Sequence, residues 1–129
     1  MTLLTKEKSL LNKIQETLKS LNLPVYYGLS THDENLDWNY FVFRRKSLGK
    51  AGTSRHDFRY SYLIYIIMEN YIEEGFDTKV INAIEKNTKL KLADTEHIYD
   101  YIVKKNTDQV CEVLTLEFTK FVKGCAISE

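Results

Sequence analysis

Apolar residues recur at helical spacing over Lys6–Leu21. Thr5 is the expected N-cap, since a threonine side chain can accept a hydrogen bond from a free N–H of the first turn. Pro24 lacks an N–H and disfavours a helical residue before it, so the helix should end near Asn22. The apolar stripe of this predicted helix consists of Leu10, Leu11, Ile14, Leu18 and Leu21.

Aromatic and β-branched residues then form runs that are typical of strands. Around Tyr62–Met68 both alternating sets of side chains are apolar. A strand of that kind lies centrally in a sheet that is covered on both faces, or it meets another subunit on one face. Small and polar residues between Arg45 and Phe58 predict a loop of about ten residues, which is long for a hairpin. The predicted strands are Val25–Tyr27, Trp38–Arg45 and Phe58–Glu69.

A second helix and a hairpin are predicted in the rest of the chain. The helix covers Thr78–Asn87, and Asp77 is its expected N-cap. Strands over Thr95–Lys104 and Gln109–Val122 flank the turn-type sequence Asn106–Asp108, which favours an antiparallel hairpin. One face of the first of these strands should carry Tyr99, Tyr101 and Val103.

The order of these elements predicts an α+β fold, because helices and strands do not alternate regularly as they do in a doubly wound sheet. We expect a mainly antiparallel β-sheet with two α-helices packed on one face. The other face should then carry many of the nine tyrosines and six phenylalanines. The length of 129 residues, and the lack of a linker or repeat, predict a single domain over residues 1–129.

Composition narrows the class of protein without naming a function. The chain is 43% hydrophobic and 28% charged, which is typical of a globular domain. Its 18 basic and 18 acidic residues cancel, so a polycation or polyanion is excluded. Cys111 and Cys125 lack metal-binding spacing and are expected as thiols. Without a long apolar run or a signal peptide, the protein is expected to be made and kept in the cytoplasm, away from membranes.

Acidic and imidazole groups do not form a recognised catalytic or metal-binding motif. The segment His32–Asp37 lacks the spacing of a calcium loop, so a solvated acidic loop is favoured over a metal site or metal-dependent hydrolase. His56 and Asp57 are adjacent and would point to opposite faces of a strand. The sequence therefore predicts no enzyme, no metal and no cofactor. A further carboxylate set, expected at outward strand positions, is Asp100, Glu112 and Glu117.

The stretch from Arg44 to Arg59 concentrates positive charge, with six basic residues against one acid. Such a segment could contact phosphates, meet an acidic surface on a neighbouring subunit or remain solvated at a hairpin tip. We favour contact between subunits, which would be head-to-tail and would close into a ring where its rotation allows. The predicted interface residues are Arg44, Arg45, Lys46, Lys50, Arg55 and Arg59, and the predicted acidic partner surface is Asp33, Glu34 and Asp37.

Four segments together resemble a phage family: 23–28 (LPVYYG), 38–45 (WNYFVFRR), 55–57 (RHD) and 117–124 (EFTKFVKG). They are similar to the small tail-terminator, tail-completion or head–tail joining proteins of long-tailed phages and prophages of Gram-positive bacteria. The resemblance implies an α+β virion structural protein without an active site, located in the tail or neck and assembled in the host cytoplasm. It also implies a ring homo-oligomer, commonly a hexamer, that contacts the tail-tube protein and the head-connector protein.

A rival hypothesis comes from the same basic stretch. Tyr60 and Tyr62 could stack on bases while residues 44–59 contact phosphates, as in a small nucleic-acid-binding or nuclease-like protein. Neutral overall charge and the lack of a nucleic-acid-binding signature weaken this interpretation. Contact with nucleic acid is therefore an alternative, and assembly is the prediction.

Overall fold

The computed structural model describes residues 9–52 and 57–123, and within these ranges it contains two helices and six strands. The helices are α1 (Leu10–Lys19) and α2 (Phe76–Thr88). The strands are β1 (Val25–Tyr27), β2 (Tyr40–Lys50), β3 (Phe58–Glu69), β4 (Lys91–Leu92), β5 (Tyr99–Val103) and β6 (Val110–Val122).

All six strands belong to one sheet, in the order β1-β2-β3-β6. Beyond β6, both β4 and β5 pair with the same outer edge of that strand, at its opposite ends. Every pair is antiparallel except β1 with β2, which are parallel. The predicted α+β fold with a mainly antiparallel sheet is confirmed.

Both helices pack on one face of this sheet, as predicted. Ile64 of β3 lies between Phe43 of β2 and Leu116 of β6, and all three side chains belong to the core beneath the helices. Alternation along each strand turns every second side chain toward the same face, which produces this continuous apolar layer. The helices add the fully buried residues Ile14, Leu18, Val80 and Ile84.

Helix α1 begins later than the sequence predicts. Ser9 is its N-cap, with an extended backbone and a side-chain oxygen that accepts a hydrogen bond from the Asn12 N–H at 3.1 Å. The predicted start at Lys6 is therefore wrong, because Ser9 offers a cap next to the first apolar residue of the stripe. The predicted cap Thr5 lies outside the described residues. At the other end, Asn22 has a positive φ of 69°, which confirms that the helix ends before it.

Helix α2 begins at Phe76, so the predicted N-cap Asp77 is wrong. Gly75 occupies the cap position with a φ of 94°, a left-handed conformation that glycine adopts without a Cβ clash. Asp77 lies in the first turn, where its carboxylate accepts hydrogen bonds from the Thr78 N–H and the Tyr99 hydroxyl, both at 2.7 Å. A negative charge is favourable in the first turn of a helix as well as at its N-cap, so Asp77 led to a predicted helix start two residues too late.

The first part of the long loop predicted before β3 is strand, and residues 53–56 of it lie outside the described residues. Strand β2 continues to Lys50, and its register with β3 shifts at Lys46, which is the extra residue of a β-bulge. Leu48 lies opposite Tyr60, and Lys50 lies opposite Phe58. The small, exposed residues here indicated a loop. They form a strand because β3 is long enough to provide backbone hydrogen-bond partners as far as Lys50.

The final hairpin is confirmed, although its first strand begins at Tyr99 and not at Thr95. The two-residue strand β4 was not predicted. In β5, Tyr99, Tyr101 and Val103 lie opposite Leu114, Glu112 and Val110, so they share one face as expected.

Truncating a core phenylalanine should separate buried from exposed positions on β6. Phe118 is 0% exposed and Phe121 is 50% exposed. We expect Phe118→Ala to lower the free energy of unfolding by about 3–5 kcal/mol, because it removes buried apolar contacts and leaves a cavity. Phe121→Ala is the matched control, expected within about 1 kcal/mol of the unchanged protein. Urea denaturation followed by circular dichroism measures both, and equal losses would contradict the assigned core.

Candidate functional site

The face of the sheet opposite the helices, called here the helix-free face, has a second apolar cluster. Tyr40, Val42, Ile67 and Cys111 are buried in it. The aromatic residues of this cluster are Tyr26, Trp38, Tyr40 and Tyr65. Phe41, Phe43 and Phe118 instead pack beneath the helices, so the expectation that phenylalanines populate the free face is wrong. Tyrosine suits a partly covered face, because its hydroxyl can remain hydrated or find a partner.

The connection between β1 and β2, residues 28–39, covers one end of this face. The His32 ring stacks on Tyr40, with ring centres 4.3 Å apart and an interplanar angle of 18°. His32 Nε2 lies 2.7 Å from the Asp37 carbonyl oxygen, and Nδ1 lies 2.8 Å from the Tyr26 hydroxyl. Since a carbonyl oxygen only accepts, Nε2–H is the donor, and in the neutral ring Nδ1 accepts from Tyr26. These bonds hold the connection against the sheet.

A clasp between Glu69 and Lys104 anchors the same connection. The Glu69 carboxylate accepts hydrogen bonds from the Trp38 N–H at 2.8 Å and from the Lys104 ammonium at 3.2 Å. Lys104 also donates to the Leu36 carbonyl oxygen at 2.9 Å. The Trp38 N–H bond, together with the bond and charge of Lys104, lowers the pKa of Glu69 below its ordinary value. Sequence reasoning missed this clasp, because its members are far apart along the chain.

The rest of the helix-free face is an open groove of about 910 Å³. Its floor includes Val42, Tyr65 and Val113, and residues 28–30 form the wall next to β1. Asp100 and Ile102 of β5 form the opposite wall. Leu29 is 81% exposed at the rim. The groove therefore offers apolar surface to a partner, with polar groups at its margin.

Arg44 places a cation at this groove. It lies opposite Leu63 in the ladder and lines the groove together with Tyr65. Its Nε–H donates to the Tyr65 hydroxyl at 3.2 Å, and its guanidinium carbon is 5.9 Å from the centre of that ring. This cation–π contact orients the exposed arginine along the sheet surface.

The other predicted basic residues are divided by the strand pairing. Lys46, at the bulge, donates to the Glu117 carboxylate at 3.1 Å. Arg45 lies opposite Tyr62, whose side chain packs beneath the helices, and Lys50 lies opposite Phe58. Arg59 lies opposite Gly49, on the helix-free side. The structure therefore spreads these charges over both faces of one end of the sheet, while Arg55 lies outside the described residues.

The predicted acidic residues lie at the other end of β2. Asp33, Glu34 and Asp37 are all exposed in the connection that precedes Tyr40. The Asp33 carboxylate accepts a hydrogen bond from the Asn35 N–H at 2.9 Å, which shapes the loop. An extended strand rises roughly 3.3 Å per residue, so β2 separates its two ends by about 30 Å. Lys50 therefore lies at the opposite pole of the molecule from the acidic set, whereas Arg44 and Arg45 lie near the middle of β2.

The remaining carboxylates considered for catalysis are separated by the fold. Glu112 is buried, and it accepts hydrogen bonds from the Ile72 N–H and the Tyr101 hydroxyl, both at 2.7 Å. Asp100 lies on the helix-free face, and Glu117 pairs with Lys46. In residues 9–52 and 57–123, no three His, Cys, Asp or Glu side chains are grouped so as to hold a metal ion. His56 lies outside these ranges.

The clasp predicts an acid-sensitive contribution to stability. The lowered pKa of Glu69 means that the folded state favours its carboxylate, so this stabilisation is present above the ordinary value of 4.5. It should be lost as the pH falls below 4.5 and through the folded-state pKa of Glu69. We expect Glu69→Gln to be less stable than the unchanged protein at neutral pH, with the difference shrinking in acid.

Urea midpoints measured across the acid range test this prediction, with the exposed Glu74→Gln as the matched control. The control should follow the unchanged protein at every pH. A constant difference between Glu69→Gln and the unchanged protein would show that the charge of Glu69 is not responsible.

Comparisons with known proteins do not place the chain in a family. It matches no protein-family model and no curated protein sequence. Within the ranges that the structure describes, neither helix has the length and apolar character needed to cross a membrane. The function is therefore argued from the groove on the helix-free face and from the charges at the two ends of β2.

Proposed function

We propose that this chain is a non-enzymatic assembly protein of a phage tail, which forms a ring and completes the tail tube or joins it to the head. The observation that carries the proposal is the exposed apolar groove on the helix-free face, flanked by opposite charges at the two poles of the sheet. The sequence resemblance described above supplies the phage assignment. The α+β fold agrees with what that resemblance implies.

The groove has the composition of a protein-binding surface. Tyr27, Leu29 and Ile102 are large apolar residues that line it and remain exposed. Continuous apolar surface on a small domain marks an interaction site, and interfaces favour an apolar centre with a polar rim. Arg44 held against Tyr65 fits the preference of such centres for arginine and tyrosine. A neighbouring subunit or the tail-tube protein could bury this surface.

The distribution of charge favours contacts between unlike surfaces. The second half of β2 carries the cations Arg45, Lys46 and Lys50. The acidic connection before this strand carries Asp33, Glu34 and Asp37. A contact that joins the basic pole of one copy to the acidic pole of the next is heterologous, and it generates a ring when the rotation closes. Complementary charges would also steer the encounter and suppress alternative arrangements.

The carboxylates of the sheet support binding over catalysis. Glu112 accepts hydrogen bonds from the Ile72 N–H and the Tyr101 hydroxyl, and Glu117 pairs with Lys46, so both carboxylates have structural roles in the sheet. As a ring, the protein would contact the tail-tube protein on one side and the head-connector protein on the other. Its location would be the tail or neck of the virion, after assembly in the host cytoplasm.

The rival nucleic-acid function receives less support from the geometry. A phosphate-binding track needs several free cations along one path. Lys46 is paired with Glu117, while Lys50 and Arg59 lie on opposite sides of the sheet by register. We therefore retain nucleic-acid binding only as an outcome of the test.

Removing the gene from the phage or prophage that carries it tests the proposal. We expect tails that are overlong and irregular, or tails of normal length without heads, in electron micrographs of the induced lysate. Expression of the unchanged chain should restore normal virions. A double variant, Arg44→Ala with Arg45→Ala, should restore them at least tenfold less well, because it removes two cations that line the groove. Lys91→Ala, an exposed lysine on β4, is the matched control and should restore them fully.

Normal, infectious virions in the deletion strain would reject the assembly role. A filter-binding assay with DNA and RNA examines the rival directly. Affinity that falls steeply with salt, and that Lys50→Ala weakens, would favour nucleic-acid binding in place of assembly.

A further inference from the structure

We propose that copies of this chain join by extending the β-sheet: the outer edge of β5 in one copy pairs antiparallel with the free edge of β2, residues 45–50, in the next. The inference rests on the proposed ring and specifies the contact that would build it. The occupant of each edge is therefore a second copy of this chain.

The outer edge of β5 presents unpaired backbone. The Ile98 carbonyl oxygen accepts from the Thr115 N–H at 3.3 Å, and the Lys104 N–H donates to the Gln109 carbonyl oxygen at 2.8 Å. Both residues therefore direct their backbone groups toward β6. Alternation along an antiparallel strand then turns the N–H and C=O groups of Tyr99, Tyr101 and Val103 outward. In the part of the chain that the structure describes, no strand pairs with that side of β5.

Four of the five side chains of β5 are apolar or aromatic, and Asp100 is the exception. Every residue of β5 is exposed, including Tyr101 at 62% and Val103 at 60%. Soluble proteins normally protect an edge with charges, proline or a bulge, because an open edge is a template for another chain. The register of β5 with β6 is continuous, without a bulge. A straight, apolar edge of this kind is suited to pairing.

Two hydrogen bonds hold the β5 edge in place. The Tyr99 hydroxyl donates to Asp77, and the Tyr101 hydroxyl donates to Glu112. Donation to this carboxylate raises the pKa of Tyr99 from its ordinary value of 10.0 to about 12. Since these side chains are already oriented by the parent domain, pairing would cost less conformational entropy than it would for a mobile strand.

The second free edge belongs to the distal part of β2. Strand β1 covers β2 only along Phe41–Phe43, and the Gly28 N–H makes the last bond there, to the Phe43 carbonyl oxygen at 2.8 Å. By alternation, the backbone groups of Arg45 also point to this outer side. Beyond the bulge, the Ala51 N–H donates toward β3 at 3.1 Å, so Leu48 and Lys50 point outward as well. No described strand covers this stretch.

The directions of the two edges are compatible. From β2 through β3 and β6 to β5, each neighbouring pair is antiparallel, so β2 and β5 run in opposite directions within one copy. A second copy in the same orientation, placed beside the first, therefore brings its β2 antiparallel to β5. The lengths also agree, since β5 has five residues and the free edge of β2 covers positions 45–50.

Charge complementarity favours this pairing at one end. Antiparallel alignment brings Lys50 of the second copy toward the start of β5, which is preceded by the exposed Asp94 and Glu96. Lys50 therefore meets acidic surface of the neighbour. The other end of β5, which Arg45 approaches, is followed by Lys104, paired with Glu69, and by the exposed Lys105. That end contributes backbone pairing without charge complementarity.

Proline substitutions at outward positions test each edge separately, because they remove one outward N–H without removing a bond within the domain. Leu48→Pro blocks the β2 edge and Val103→Pro blocks the β5 edge; Leu48→Ala and Val103→Ala are the matched controls. In sedimentation velocity, the unchanged protein and both controls should form oligomers, whereas each proline variant alone should remain monomeric. Circular dichroism checks that all variants are folded.

Mixing the two proline variants gives the discriminating result. Val103→Pro retains an intact β2 edge and Leu48→Pro an intact β5 edge, so an equimolar mixture should form dimers and nothing larger. Oligomers formed by Leu48→Pro alone would indicate pairing of β5 with β5 and would overturn the inference. Oligomers formed by both variants, or an unchanged protein that stays monomeric at its highest soluble concentration, would also overturn it.

Hydrogen exchange of the unchanged protein provides a test that does not depend on proline variants being folded. The amides of Leu48, Tyr99, Tyr101 and Val103 should exchange at least tenfold more slowly in the oligomer than in the dilute monomer. Unaltered exchange at these amides would reject edge pairing.

The phage experiment separates this inference from the proposed function. If Leu48→Pro restores normal tails in the deletion strain, edge pairing fails and the tail role stands. If the edge variants behave as expected in solution while deletion leaves the tails normal, sheet extension stands without a tail role.

Discussion

The structure depends on the pairing of β3 with a strand on each side. Strand β3 is antiparallel to β6 along its whole length and to β2 as far as Ile67, which fixes the register of the central sheet. Because side chains alternate, the same register sends Ile64 and Ile66 under the helices and Tyr65 and Ile67 to the opposite face. A slip of one residue would exchange these sets, exposing the core and burying Arg44 beneath the helices.

Unequal coverage of the two faces follows from the short β1 and the two short helices. Helices α1 and α2 seal one face, whereas the 28–39 connection covers only part of the other through His32 and the Glu69–Lys104 clasp. Among residues 9–52 and 57–123, nothing covers the groove beside Arg44, and no strand pairs with the outer edges of β5 and distal β2. The groove and the two strand edges, on which the proposed assembly depends, are therefore surfaces that these short elements do not cover.

Local sequence signals predicted those elements whose stability is local. The apolar stripe of α1, the alternation of β3 and the turn before β6 each appear within a few residues, and each corresponds to an observed element. Sequence signals that are compatible with more than one local structure predicted the elements less accurately. An aspartate such as Asp77 is favourable in the first turn of a helix as well as at its N-cap. The small residues after Arg45 are compatible with a loop, but they form a strand because β3 pairs with them.

The amino-acid sequence by itself determined the α+β class, the antiparallel hairpin and the concentration of positive charge near Arg44. Periodicity and charge are properties of neighbouring residues, so they can be read along the chain. Only the tertiary structure decided that Lys46 pairs with Glu117, that Glu69 meets Lys104 and that no strand of the described chain pairs with the outer edges of β5 and distal β2. These features join residues distant in sequence, and their geometry exists only once the register of the sheet has brought them together.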